Sequence, residues 1–152
     1  MSKRTIVAMP GDGIGKVVLD EAIRVLSNAG FNADYVEADI GWEFWRSEGN
    51  PLPERTLDLI EKHKIGLFGA ITSKPKDEAF AELAPSLQDK ELVYSSPIVG
   101  LRQHFGLDIC LRPCRTYTGN PLNFIRRGPN NSIEEPEVDV AIFLQNTEGL
   151  YG

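Results

Sequence analysis

Residues 5 to 15 read Thr-Ile-Val-Ala-Met-Pro-Gly-Asp-Gly-Ile-Gly, an apolar run driven straight into a turn that holds three glycines. Behind it, Lys16 to Leu26 carries apolar residues at Val18, Ala22, Val25 and Leu26 with polar residues between them, the spacing of an amphipathic helix. Strand, tight glycine turn and helix form the opening of an α/β protein. The start of such a helix suits a phosphorylated or anionic ligand, because its first amide N–H groups have no partner within the helix. The turn is not the ordinary dinucleotide fingerprint. Gly11, Gly13 and Gly15 give G-x-G-x-G, Lys16 stands where G-x-G-x-x-G needs glycine, and Pro10 precedes the first glycine. By itself the turn reads either as a ligand cradle or as a plain strand-to-helix connection.

The pattern then alternates. Arg4 to Met9 is expected as a buried strand, and Ile14 to Asn28 as a helix closed at Gly30. Asn32 to Glu37 alternates in polarity and predicts a second strand. Gly41 to Ser47, with Trp42, Phe44 and Trp45, predicts a short helix or turn packed on the core. Pro51-Leu52-Pro53 starts a helix over Glu54 to His63 with Leu57, Leu59 and Ile60 inward, and His63 suits its C-terminal dipole. Ile65 to Ile71 predicts a buried strand ending at Thr72-Ser73, where α/β proteins place ligands. The β-α-β-α-β order implies a largely parallel sheet with helices on its faces. Lys74 to Leu92 is rich in charge and reads as a lid, an insertion or one irregular helix. A helix over Ile98 to Phe105 leads to a strand from Leu107 that is broken by Pro113, a turn-rich stretch from Thr118 to Pro136, and an apolar strand over Val138 to Leu144. A domain boundary is placed near Gly106, giving residues 1–106 and 107–152.

The charge balance excludes some partners. With 41% apolar residues, 25% charged residues and a formal charge of −6 over 152 residues, the chain can bury a core without staples. It lacks the basic surface that nucleic acid or an anionic membrane rewards. An anionic substrate must therefore be caught by local arginines. No apolar run approaches the roughly 20 residues of a membrane span, and no signal-peptide core is present. A cytoplasmic location is expected, or the mitochondrial matrix if a transit peptide has been removed. Cys110 and Cys114, four apart and without a further pair, are read as reduced packing residues and not as a zinc site or disulfide. Asp77, Glu78, Glu134, Glu135 and Glu137 lie in polar loops and read as solvated.

Arg102 closes a predicted helix and Arg112 sits in the following strand. Guanidinium groups match carboxylates bidentately, so two that converge on one cleft suit a di- or tricarboxylate. The alternative is a pair of surface ion-pairing arginines. Arg112 is the stronger candidate, because it interrupts an apolar strand where an unpaired charge is costly. Tyr151 carries a phenol that can serve as a general acid in a tuned environment, or else packs in a core or interface.

Ile6 to Gly15, Phe68-Gly-Ala-Ile-Thr72, Leu101-Arg-Gln103, Cys110-Leu-Arg-Pro113 and Asn146-Thr-Glu-Gly149 with Tyr151 together resemble the β-decarboxylating dehydrogenases. These are the isocitrate, homoisocitrate, 3-isopropylmalate and tartrate enzymes. The Asn146-Thr-Glu-Gly149 segment is most similar to the isocitrate and homoisocitrate branches. The resemblance implies oxidation of a 2-hydroxy acid by hydride transfer to NAD or NADP, loss of the 3-carboxylate with Mg²⁺ or Mn²⁺, and protonation of the enol. It implies that Arg102 and Arg112 bind substrate carboxylates, that Ser96 touches the distal carboxylate, and that Tyr151 is the catalytic proton donor. It puts Ile14, Ile71 and Thr72 beside the nicotinamide. It also implies a homodimer or higher homo-oligomer, with a nucleotide-side first domain and a second, substrate and dimerisation domain.

Three positions depart from the family pattern. Leu144 stands where a third substrate arginine is expected, Gln145 where many members have Glu, and Ile98 where isocitrate enzymes have asparagine. One lost Arg–carboxylate contact weakens binding by roughly two orders of magnitude. The departures imply either a less charged substrate end or a ligand-binding subunit that does not turn over. Arg115 is a possible compensating cation. Family members are more than twice as long, and their later half supplies the lysine, the metal-binding aspartates and most of the adenosine site. The chain is therefore expected to be the N-terminal part of a longer enzyme and inactive alone.

Overall fold

The structure is a computed structural model and describes residues 3 to 148. Strand β1 (Arg4–Gly11) leads through the glycine turn into helix α1 (Ile14–Asn28), then β2 (Ala33–Glu37), α2 (Trp42–Glu48), α3 (Glu54–His63) and β3 (Gly66–Ala70). The three strands form a parallel sheet in the order β2-β1-β3. The central strand is covered on both sides, which is why Ile6, Val7, Ala8 and Met9 are buried in succession and do not alternate. The outer strand β3 was expected to be buried; with one neighbour it is only half-buried at Leu67 to Ala70.

Helix α1 has the expected bounds but a different inward face. Gly15 and Leu19 are buried and Ala22, Ile23 and Leu26 half-buried, whereas Val18 and Val25 are 45% and 64% exposed. Successive residues rotate by about 100°, so Val18 and Val25, each one position before a leucine, swing away from the sheet. Gly15 decides this orientation. A Cβ there would lie 2.2 Å from the Pro10 carbonyl oxygen and 2.6 Å from the Ala70 nitrogen, so the helix backbone rests directly on β3.

The charged stretch after β3 is neither a free lid nor one helix. It forms α4 (Lys76–Ala81) and a short 3-10 helix over Pro85–Lys90. Ala79, Leu83 and Leu87 bury against Trp42 and Trp45 of α2. Trp45 Nε1 donates to the Ala79 carbonyl at 2.8 Å and Trp42 Nε1 to Glu82 Oε2 at 2.7 Å, so each indole satisfies its polar edge as it packs. Helix α3 buries Thr56 by donating its hydroxyl to the Asp39 carbonyl at 2.5 Å.

Helix α5 (Pro97–Phe105) ends at Gly106, in the left-handed region with φ 59°. The chain divides into two compact units between Leu101 and Arg102, within this helix. In the second unit, β4 (Ile109–Arg115) pairs antiparallel with a later strand, Asp139–Gln145. Between them, β5 (Arg126–Arg127) pairs with β6 (Ile133–Glu134) around a 3-10 turn at Pro129–Asn131, which makes Asp139–Gln145 strand β7. Pro113 was expected to break β4, yet the strand runs through it, with Pro113 opposite Ala141. A two-stranded ribbon leaves one edge of each strand without ladder partners, where a missing N–H costs nothing. Strand β7 is apolar as expected, but exposed along its whole length.

Candidate functional site

In the first unit the glycine turn is organised by Asp12, a residue the sequence did not single out. Its amide donates to the Ala70 carbonyl at 2.7 Å, and its carbonyl accepts from Gly15 N at 2.8 Å. Its carboxylate accepts the Trp42 amide at 2.8 and 2.9 Å and the Thr72 amide at 2.9 Å. The turn, the end of β3 and the start of α2 therefore meet on one side chain. Gly41 is required for this: a Cβ there would lie 2.6 Å from Asp12 Oδ2, and its φ of 115° is one that L side chains rarely adopt.

This hub brings the nicotinamide candidates onto the turn. Ile71 Cγ2 lies 3.3 Å from where a Gly11 Cβ would be, and the Thr72 amide is bound to Asp12. Gly13 has φ 50° with nothing within 4 Å of its Cβ position, and Ile14 beside it is 64% exposed. An open backbone surface beside an exposed aliphatic side chain fits one edge of a flat heteroaromatic ring. Tyr94 adds a second holder: its hydroxyl donates to the Thr72 carbonyl at 3.2 Å. Asp12 in Gly-Asp-Gly, with Gly41 directly before the tryptophan-rich helix, was the available sequence signal. Tyr94 offered none.

Ser96 lies in the same unit, half-buried, with its carbonyl accepting the Gly100 amide at 3.1 Å as α5 begins. Ile98, in the first turn of that helix, is half-buried too.

The second unit holds both arginines. Arg102 is half-buried at the end of α5. Arg112 is exposed, contrary to the expectation that it sits inside an apolar layer, because among the described residues β4 pairs with β7 alone. Both act on Cys110. Its thiol is pulled below the ordinary thiol range, first by a hydrogen bond with Arg112, against the opposing effect of burial, then by a hydrogen bond with Asn146 and the positive charges of Arg112 and Arg102. Cys110 and Cys114 were expected to be reduced packing residues; both are free and half-buried, and Cys110 in addition feels the charge of Arg112. The period-two spacing of Cys110 and Arg112 on one strand face was the signal that could have shown it.

The register of β4 and β7 also places the family departure. Leu144 pairs with Cys110 and Ile142 with Arg112, so Leu144 stands on the strand face that carries Arg112. Arg115 pairs with Asp139 on the opposite face, 3.5 Å from its carboxylate, and so does not replace a cation at Leu144. Of the acidic residues read as solvated, Glu134 is ion-paired with Arg126 at 2.9 Å. Tyr151 lies outside the described residues. Among the described residues no group of three or more His, Cys, Asp or Glu could hold a metal ion.

The chain matches the family model described as isocitrate/isopropylmalate dehydrogenase over residues 5–152. It is 37% identical over 148 residues to Protein DlpA of Legionella pneumophila, covering 96% of this chain and 22% of that protein. It is 34% identical over 153 residues to a 3-isopropylmalate dehydrogenase of Heyndrickxia coagulans, covering 98% of this chain and 38% of that enzyme. The fold is similar to that of isocitrate dehydrogenase from Methylococcus capsulatus, with a TM-score of 0.71 at 28% identity, over 97% of this chain and 36% of that one. The chain thus spans less than two fifths of the length of each of these relatives. The family match over residues 5–152 places this chain in the isocitrate/isopropylmalate dehydrogenase family, a family of NAD(P)-dependent β-decarboxylating dehydrogenases.

Proposed function

We propose that the chain forms the N-terminal part of a metal- and NAD(P)-dependent oxidative decarboxylase of 2-hydroxy di- or tricarboxylic acids, of the isocitrate or homoisocitrate type. The observation that carries the reading is the match to the isocitrate/isopropylmalate dehydrogenase family over residues 5–152, in a chain whose glycine turn is tied through Asp12 to Thr72. The guanidinium groups of Arg102 and Arg112 supply bidentate donors for carboxylate oxygens in a chain whose overall charge of −6 would otherwise repel them. In this reading the arginines orient the substrate, Ser96 meets its distal carboxylate, and Tyr151 returns a proton to the enol. Ile14, Ile71 and Thr72 form the edge against which the nicotinamide sits. When bound, the nicotinamide accepts the hydride from the 2-hydroxy carbon and the Mg²⁺ or Mn²⁺ ion supports loss of carbon dioxide. Residues 1–106 belong to the nucleotide side, 107–152 to the substrate and dimerisation side, and the working form is a homodimer or larger homo-oligomer in the cytoplasm.

The Leu144 position favours a second reading, a ligand-binding or regulatory subunit of the same family. The similarity to a 3-isopropylmalate dehydrogenase favours a less charged substrate end. One experiment separates them. The whole native protein is assayed for NAD⁺ and NADP⁺ reduction with isocitrate, homoisocitrate, 3-isopropylmalate and tartrate in the presence of Mn²⁺, alongside Leu144→Arg. Turnover of isocitrate or homoisocitrate is expected, and the variant is expected to raise kcat/KM on isocitrate by up to about a hundredfold, from one added charge-assisted contact. Binding of the acid without turnover in either form would establish the subunit reading instead.

A further inference from the structure

The junction after β3 is held from two sides. The Thr72 N–H donates to Asp12 Oδ2 at 2.9 Å, and the Thr72 carbonyl accepts from the Tyr94 hydroxyl at 3.2 Å. Both main-chain polar groups of this one residue, two positions beyond the end of β3 at Ala70, are thus committed to side chains. The two holders share one anchor. Asp12 also accepts the Trp42 amide. The Tyr94 ring meets Trp42 edge-on at 4.9 Å and Trp45 at 5.4 Å. Thr72 is therefore fixed to the start of α2 along two routes, one electrostatic and one aromatic. Oδ2 accepts from both amides and Oδ1 from Trp42 as well, so an asparagine would set its N–H₂ against the Trp42 amide in either orientation and weaken the shared anchor.

We propose that Asp12 and Tyr94 are positioning residues for a nicotinamide cofactor, acting through Thr72 to fix the edge that Ile14, Ile71 and Thr72 offer to the ring. The inference rests on the proposed function. Neither side chain is required to touch the cofactor. Loosening Thr72 lowers the fraction of protein whose cofactor edge is formed, so cofactor binding weakens in proportion. The chemical step and the arginine site are untouched.

The test uses Asp12→Asn and Tyr94→Phe in the whole native protein, with two readouts. Backbone amide exchange is expected to speed at least tenfold at Thr72 in both variants, and also at Trp42 in Asp12→Asn. The KM for NAD⁺ or NADP⁺ is expected to rise about tenfold while kcat and the KM for the hydroxy acid hold. Tyr94→Phe keeps the ring packed on both tryptophans, so it remains informative if Asp12→Asn fails to fold. A lowered Tm with an unchanged cofactor KM would reduce both residues to structural ones and overturn the inference, as would unchanged exchange at Thr72. If calorimetry shows that the wild-type protein binds neither NAD⁺ nor NADP⁺, the proposed function falls and the cofactor role falls with it. Amide exchange then decides separately whether the two side chains hold Thr72.

Discussion

At the scale of single residues, the chemistry concentrates where a polar side chain gathers main-chain or cationic partners. Asp12 gathers three contacts from two backbone amides. The Cys110 thiol is pulled below the ordinary thiol range, first by Arg112. The thiolate is the nucleophile, and the environment favours it, so the share of reactive Cys110 at a given pH is larger than for an ordinary thiol. The sign follows from the depressed value: ionised Cys110 is favoured by folding at alkaline pH, and that contribution is lost as pH falls through its lowered midpoint. Alkylation with iodoacetamide, followed by peptide mass spectrometry across pH, should therefore show a midpoint for Cys110 below the ordinary thiol range. Arg112→Ala should move it upward, because the largest cause of the shift is removed. An unmoved midpoint would show that Arg112 does not hold this thiol.

At the scale of elements, α1 shows how packing selects between two plausible faces. The helix offers Val18 and Val25 on one stripe and Leu19 and Leu26 on another, and hydrophobicity alone does not rank them. Backbone contact does: Gly15 lets the first turn lie on β3, and the rotation that follows buries Leu19. Leu19→Ala is expected to cost about 2 to 5 kcal/mol in urea unfolding, the range for a buried leucine that leaves a cavity. Val25→Lys should stay within about 0.5 kcal/mol, as an exposed substitution does. Reversed costs would mean that the valine stripe, and not the leucine stripe, faces the sheet. The same competition explains Lys74 to Leu92, whose charge density hid Ala79, Leu83 and Leu87, which Trp42 and Trp45 require as partners.

At the scale of the whole molecule, the two units differ in how well they are covered. The first has a three-stranded sheet with helices packed on it. The second is built on a two-stranded ribbon whose Ile109, Leu111, Ile142 and Phe143 all remain exposed. An isolated two-stranded ribbon is marginal in water, so the units should open separately. Hydrogen exchange on this chain is expected to show β1 amides such as Val7 and Ala8 protected at least a hundredfold longer than Leu111 and Phe143 in the ribbon. Equal protection would show that the ribbon is covered in solution, by a second copy or another polypeptide.

What the sequence determined by itself was local and periodic. It marked the glycine turn, the bounds of α1 and α3, the parallel β-α-β-α-β order, and the motif set that names the family. These depend on neighbours in the chain, on the residue types that turns and helix ends demand, and on short patterns that survive without coordinates. Only the tertiary structure decided which face of α1 turns inward, that Pro113 is tolerated within β4, that Leu144 stands on the face of Arg112, and that Asp12 ties Thr72 to Trp42. Each of these depends on residues tens of positions apart meeting at distances of a few ångströms. Such contacts are set by strand register and by backbone close approach at glycine, which no single stretch of sequence encodes.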